Sequence, residues 1–121
     1  GLKTLSSDED GYVDVYEGSA YKRDLSYHQG ITWPWLLGLY YDALKNTMII
    51  EKNRTKRQEL EEKITKLVDT TKETFKAEMF ERSSIGTISE IYDSTEPYEE
   101  RGAFAQAWSV AEIFRIVLNN W

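Results

Sequence analysis

Apolar residues recur at helical spacing in three stretches of this 121-residue chain. In the first, Leu36, Leu37, Tyr40, Tyr41, Leu44 and Met48 follow one another with Asp42 and Lys45 as the only charges among them. This spacing predicts a helix from about Trp33, with Thr32 as N-cap and Pro34 in the first turn, where a missing N–H costs nothing. A helix apolar over so much of its circumference is normally buried. In the second stretch, residues 54 to 80, Leu60, Ile64, Leu67, Val68, Thr71, Phe75 and Met79 form a single stripe. The remaining positions are nearly all charged. They predict a solvated outer face with i, i+4 pairs such as Glu59 with Lys63 and Glu62 with Lys66. The third helix is predicted from Ala105 to Asn119. Trp108, Ala111, Phe114, Val117, Leu118 and Trp121 supply one face, widened by Val110, Ile113 and Ile116.

No such period survives in residues 1 to 32. Asp8, Asp10, Gly11, Gly18 and Ser19 are turn formers, so the segment reads as an irregular loop pinned by Tyr12, Tyr16, Tyr21 and Tyr27. Residues 81 to 104 read as a long connection with Gly86, Pro97 and Gly102. It carries Glu90, Asp93, Glu96, Glu99 and Glu100, and loops of this length are usually functional or disordered. No strand pattern and no internal repeat stands out. The fold class expected is all-α: about three long helices with long functional loops. Two helices apolar nearly all round, beside one amphipathic helix, are not expected to close a core alone. They predict part of a larger layered structure. They also predict that the isolated chain is a homodimer, with an interface above the roughly 1,200 Å² needed for stable association.

Composition narrows the chemistry. The apolar fraction of 40% and four tryptophans exclude a disordered chain. A net charge of −6 with no basic stripe argues against nucleic-acid binding, which depends on neutralising phosphates. No apolar run is long enough to span a membrane, and no export signal opens the chain. With no cysteine, thiolate metal sites are impossible, and the composition fits a reducing, cytoplasmic setting. Asn53-Arg54-Thr55 matches a glycosylation pattern that carries no weight without export. One histidine makes a zinc site unexpected, and no motif implies a cofactor.

The densest chemistry lies in Tyr27-His28-Gln29-Gly30-Ile31-Thr32-Trp33-Pro34-Trp35. Indole faces cover the apolar C–H patches of a pyranose, and amides and imidazoles meet its hydroxyls. The segment Gly86-Thr87-Ile88-Ser89-Glu90-Ile91-Tyr92-Asp93 adds a carboxylate. Together they point to a glycosidase cleft, which needs two carboxyl groups. Each residue also has a plainer reading. Thr87-x-x-Glu90 fits a capping box, although Pro97 arrives too soon for a long helix to follow. Trp33 and Trp35 at a helix start are more often core, and their spacing of two points them to different sides of a helical turn. A lone histidine is more often structural, but in a loop beside Gln29 His28 can donate to a sugar hydroxyl. Arg23-Asp24 is either a local ion pair or a brace for that loop.

At these residues the chain resembles the C-terminal end of the glycogen debranching enzymes, in their amylo-α-1,6-glucosidase domain. The matching segments are Gly1-Leu2-Lys3-Thr4-Leu5, Arg23-Asp24, Tyr27-His28-Gln29-Gly30 with Trp33-Pro34-Trp35-Leu36-Leu37-Gly38, and the segment around Glu90. Arg101-Gly102 follows, with Ala105-Gln106-Ala107-Trp108-Ser109-Val110-Ala111-Glu112. They come in the family's order and span nearly the whole chain. Departures are Lys3 for a common arginine, Ile31-Thr32 for Thr-Val, Leu39 for a common proline, and Ala103-Phe104 for Cys-Ile or a similar pair.

The resemblance implies that residues 1–121 are the C-terminal portion of an (α/α)6 toroid of alternating inner and outer helices. It implies inverting hydrolysis of α-1,6-linked glucose at branch points of glycogen or a similar α-glucan, with Glu90 as general base. His28, Gln29, Trp33 and Trp35 are then expected on the cleft side, and Gln106 and Trp108 behind the loop that carries Glu90. The family's general acid, an aspartate, lies upstream of every motif present here, so the isolated chain is expected to be inactive. The competing reading is a stand-alone helical module that binds a protein or glycan and does no chemistry.

Overall fold

A computed structural model describes residues 1–82 and 85–120. The two longest helices contain the expected stripes. Helix α3, Arg54–Glu81, opens on Asn53, whose side chain accepts from Lys56 N at 3.1 Å. It buries Ile64, Val68, Thr71, Phe75 and Glu78, so four members of the expected stripe are joined by an acid. Helix α2, Leu36–Ile50, buries Leu37, Gly38, Tyr41 and Leu44, and helix α4, Ala107–Leu118, buries Ser109, Ile113 and Ile116. Trp121, assigned by its spacing to the face of α4, lies outside the described residues. No helix among the described residues is long and apolar enough to cross a membrane.

Helices α2, α3 and α4 pack against one another around Leu37, Tyr41, Leu44, Ile64, Val68, Phe75, Ile113 and Ile116, joined by Ile88 and Tyr92 from the connection. Three helices thus do close a core, contrary to the expectation from their patterns. Each such side chain contributes roughly 1.5–3 kcal/mol on full burial. They close it by leaving other apolar residues outside. Leu39, Tyr40, Ile49 and Ile50 on α2, and Trp108, Phe114 and Leu118 on α4, are exposed. Neither helix is therefore buried on most sides within this chain. At one crossing Asp42 of α2 receives both terminal nitrogens of Arg115 of α4, at 2.8 and 3.0 Å. The surface pairs Glu59–Lys63 and Glu62–Lys66 do not form; ion pairs among the described residues lie instead at α4, at the end of α3 and between β4 and the end of β3. Long exposed side chains lose more entropy on pairing than such contacts return.

Two elements depart from the sequence reading. Ala20–His28 is a helix, α1, inside the stretch expected to be irregular; the Ser19 hydroxyl caps it by accepting from Lys22 N. Four two-residue strands also form a small antiparallel sheet, where no strand was expected. Strand β1 (Leu2–Lys3) pairs with β2 (Thr32–Trp33), β2 with β3 (Ile91–Tyr92), and β3 with β4 (Glu100–Arg101). Thr32 and Trp33 therefore belong to a strand rather than a helix start. The N-cap of α2 is Trp35, and Leu37 N and Gly38 N reach back to the carbonyls of Pro34 and Trp35. The fold is helical with a small antiparallel sheet. That sheet brings residues near positions 2, 32, 91 and 101 side by side.

Candidate active site

Glu90 stands just before β3, and the sheet registers its surroundings. Its backbone N donates to Ala103 O at 2.9 Å, extending the β3–β4 pairing by one step. Its carboxylate is held from two sides. Oε2 accepts from Ala103 N at 2.8 Å, and Oε1 accepts from the Tyr27 hydroxyl, which comes from α1. Helix α1 thus reaches the loop that carries the acid. The capping-box reading of Thr87-x-x-Glu90 is excluded, because a strand follows and the side chain serves other donors. Gly102 makes this approach possible. A Cβ there would lie 2.5 Å from Glu90 Oε2, and its φ of 70° is one that L side chains rarely adopt. Burial, and then the neighbouring Glu90 carboxylate, push the Tyr27 phenol well above its ordinary pKa. It therefore stays protonated and remains a donor.

Rings surround this pair. Trp33 packs edge-on to Tyr27 at 4.5 Å between centroids and donates its Nε1–H to Tyr27 O at 3.3 Å. Tyr16 and His28 contact Tyr27 at 6.0 and 5.1 Å. Trp108 reaches Trp33 edge-on at 6.2 Å and stacks on Trp35 at 5.3 Å with 24° between the planes. Both indoles of the Trp-Pro-Trp segment therefore meet the same third indole. The divergence expected from helical geometry fails because residues 33 to 35 run through a strand and a turn. Trp33 is buried at 7% exposure, whereas Trp35 is half-buried and Trp108 is 48% exposed. The outer rim of the cluster is thus the Trp35–Trp108 stack.

The other expected residues divide. His28 is exposed at the end of α1, against Tyr27. The Gln29 backbone carbonyl accepts from Val13 N at 2.8 Å and its side chain is half-buried beside Gly11, so it braces the first loop. The following Gly30 fits under that loop only without a side chain, since a Cβ would meet Val13 O at 2.1 Å. Arg23 forms no ion pair with Asp24; its guanidinium donates to Gly18 O at 2.7 Å. Gln106 precedes α4 and ties it to the Glu90 loop by donating its backbone N–H to Ile88 O at 2.9 Å. One end of β3 is locked by Asp93, buried, which accepts from Arg101 Nε and Nη2 at 3.0 and 2.8 Å and from Tyr16 N at 2.8 Å.

Sequence reasoning missed Tyr27 and the Gly102–Ala103 turn as neighbours of Glu90. Both lie in the segments it singled out, Tyr27-His28-Gln29-Gly30 and Arg101-Gly102. The contact between Tyr27 and Glu90 spans 63 positions and exists only once the sheet is formed. The arrangement as a whole is a half-buried carboxylate, oriented by two donors, beside a wall of indoles.

The family model described as amylo-alpha-1,6-glucosidase matches residues 1–115. No curated protein and no solved structure matches the chain. With nearly its whole length covered, including the Glu90 loop, the sheet and most of α4, the chain belongs to the amylo-alpha-1,6-glucosidase family.

Proposed function

We propose that this chain forms the base-bearing, C-terminal part of a glycogen-debranching glucosidase that hydrolyses α-1,6-linked glucose with inversion. Glu90 is the general base. It takes a proton from the attacking water while a carboxylic acid outside this chain protonates the leaving oxygen. In inverting enzymes the two groups stand roughly 6.5–9.5 Å apart to admit that water. The observation that carries this reading is the clamped Glu90 carboxylate. Each oxygen accepts one protein donor, and each keeps acceptor capacity for a water. The Trp35–Trp108 stack, linked to Tyr27 through Trp33, offers an apolar face to a glucosyl ring. Glycogen or a branched α-glucan is the substrate.

The exposed apolar residues of α2 and α4 support a place for this chain within a larger helical layer. In isolation it releases no glucose and self-associates through those faces. Sedimentation at micromolar concentration should show a dimer. A sharp monomer peak, with unfolding independent of concentration, instead favours a stand-alone, non-catalytic module, which the closed core of α2, α3 and α4 permits.

The test of the catalytic assignment is Glu90→Gln in the full-length enzyme, assayed for glucose release from a branched limit dextrin. Activity should be abolished with dextrin binding nearly intact. Substantial remaining activity removes Glu90 from the role of base.

A further inference from the structure

We propose that Tyr27 is a positioning residue for this reaction: its hydroxyl, carried on α1, fixes the orientation of the Glu90 carboxylate that activates water. This rests on the assignment of Glu90 as base.

A carboxylate at the end of a glutamate side chain can rotate about its last torsion at little cost, since that torsion is broad. A general base gains from being held so that one lone pair faces the water. Here one oxygen is fixed by the Ala103 backbone N–H, from the turn after β4. One bond alone leaves the group free to swing about it. The Tyr27 hydroxyl supplies the second point, on the other oxygen and from a different element. Between them the two donors define the plane of the carboxylate.

Tyr27 is itself well held. Its ring lies against Trp33, His28 and Tyr16, and its carbonyl accepts the Trp33 indole N–H. The start of α1 is capped by Ser19 and braced by Arg23 on Gly18 O. Next to the helix, Gly30 N donates to Thr4 Oγ1 at 2.8 Å and Ile31 N donates to Ser26 O at 3.2 Å. These contacts join the end of α1 to the sheet edge. The short helix therefore acts as a strut between the sheet and the acid. The phenol is a donor throughout the working pH range, because burial and the adjacent carboxylate both oppose its ionisation.

The position also explains why phenylalanine is a clean probe. All ring contacts belong to the aromatic face and edges, and only the hydroxyl touches Glu90. Tyr27→Phe removes one donor and leaves the packing. A hydrogen bond to a carboxylate is among the stronger kind, so kcat should fall roughly 10- to 100-fold. KM should stay within about twofold, because the role proposed for Tyr27 is exerted on the base and not on the substrate.

Three variants of the full-length enzyme decide the matter with a branched limit dextrin as substrate. Glu90→Gln tests the assignment underneath, and an active Glu90→Gln enzyme overturns both. With Glu90→Gln inactive, a Tyr27→Phe enzyme with the expected kcat loss at unchanged KM supports the positioning role. Wild-type kcat, or a loss carried by KM alone, overturns that role and leaves the base in place. Incorporating 3-fluorotyrosine at position 27 keeps the ring and strengthens the donor. It should keep kcat near the wild-type value, and a loss as large as that of Tyr27→Phe in this variant, which retains the hydroxyl, also overturns the proposal.

Discussion

Glu78 and Glu90 each accept a hydrogen bond from a tyrosine hydroxyl, Tyr92 for the first and Tyr27 for the second. Their surroundings differ in every other respect. Glu78 projects from α3 into the core, with its side chain 7% exposed, and Tyr92 donates to it at 2.5 Å. Arg82 lies 3.6 Å from its second oxygen and 3.1 Å from Glu100. Burial pushes its pKa above the ordinary carboxylate value, opposed by the Tyr92 hydrogen bond and assisted by the Glu100 charge. Glu90 is half-buried, has no cationic partner among its contacts, and sits beside an indole wall with an exposed rim. A carboxyl enclosed by charged neighbours and core side chains locks α3 to the sheet. One with free acceptor capacity and an apolar platform beside it can handle water and a sugar. The tyrosine bond is common to both and so does not distinguish them; access and neighbours do.

The largest expected difference is in catalysis. In the full-length enzyme Glu90→Gln should cost at least the roughly 10²–10⁴-fold that a positioned base contributes. Glu78→Gln, which keeps shape and a hydrogen-bond acceptor for Tyr92, should leave kcat within about twofold. Parallel glucose-release assays on the two variants make the comparison, and equal losses erase it.

The aromatic wall gives the next effect. Trp33 is core and Trp35 is rim, so their alanine variants should fail in different ways. Trp33→Ala should lower stability by about 3–5 kcal/mol, the range for a large buried aromatic, with Tyr27 losing its main packing surface. Trp35→Ala should keep the fold and raise KM for glucan. Chemical denaturation and steady-state kinetics separate the two outcomes. If both variants bind glucan normally, neither indole is a sugar platform.

The smallest effect is the pH dependence of stability at Glu78. Its folded pKa is raised above the ordinary value of 4.5, so the folded state holds the proton more tightly than the unfolded chain. That contribution is fully present below pH about 4.5 and is lost as pH rises through the raised value. Glu78→Gln should therefore flatten the stability decline in this window, when the two proteins are compared by urea denaturation across pH. An identical slope in both means that Glu78 titrates normally.

The long helices and the carboxylate were legible in the sequence because both announce themselves locally. Helix α3 shows one apolar stripe against charge over 28 residues, and the Glu90 segment is a recognisable string. Helix α1 was hidden because it has no stripe to show. Tyr21, Lys22, Arg23, Asp24 and Leu25 are all exposed, and Ser26 is its only buried member. Ser19 as N-cap was its single signal, and serine there reads equally as a turn. The strands were invisible because alternation cannot be seen in two residues. Pro34 misled in a specific way. It suits a first helical turn, but the fold places it buried between β2 and the first turn of α2. Of the site, the chain gave the residues without their pairing: Tyr27 and Ala103 meet Glu90 only through the sheet register.

The most direct test of Glu90 as the base is azide rescue of Glu90→Ala in the full-length enzyme acting on a branched limit dextrin. Azide needs no base to attack C1, so it can replace the activated water while the acid protonates the leaving oxygen and the C1–O6 bond breaks. Glucose release should be lost in buffer and β-glucosyl azide should form when azide is added, as read by NMR of the products. Glucose release near the wild-type rate without azide, and no azide adduct with it, would contradict the assignment.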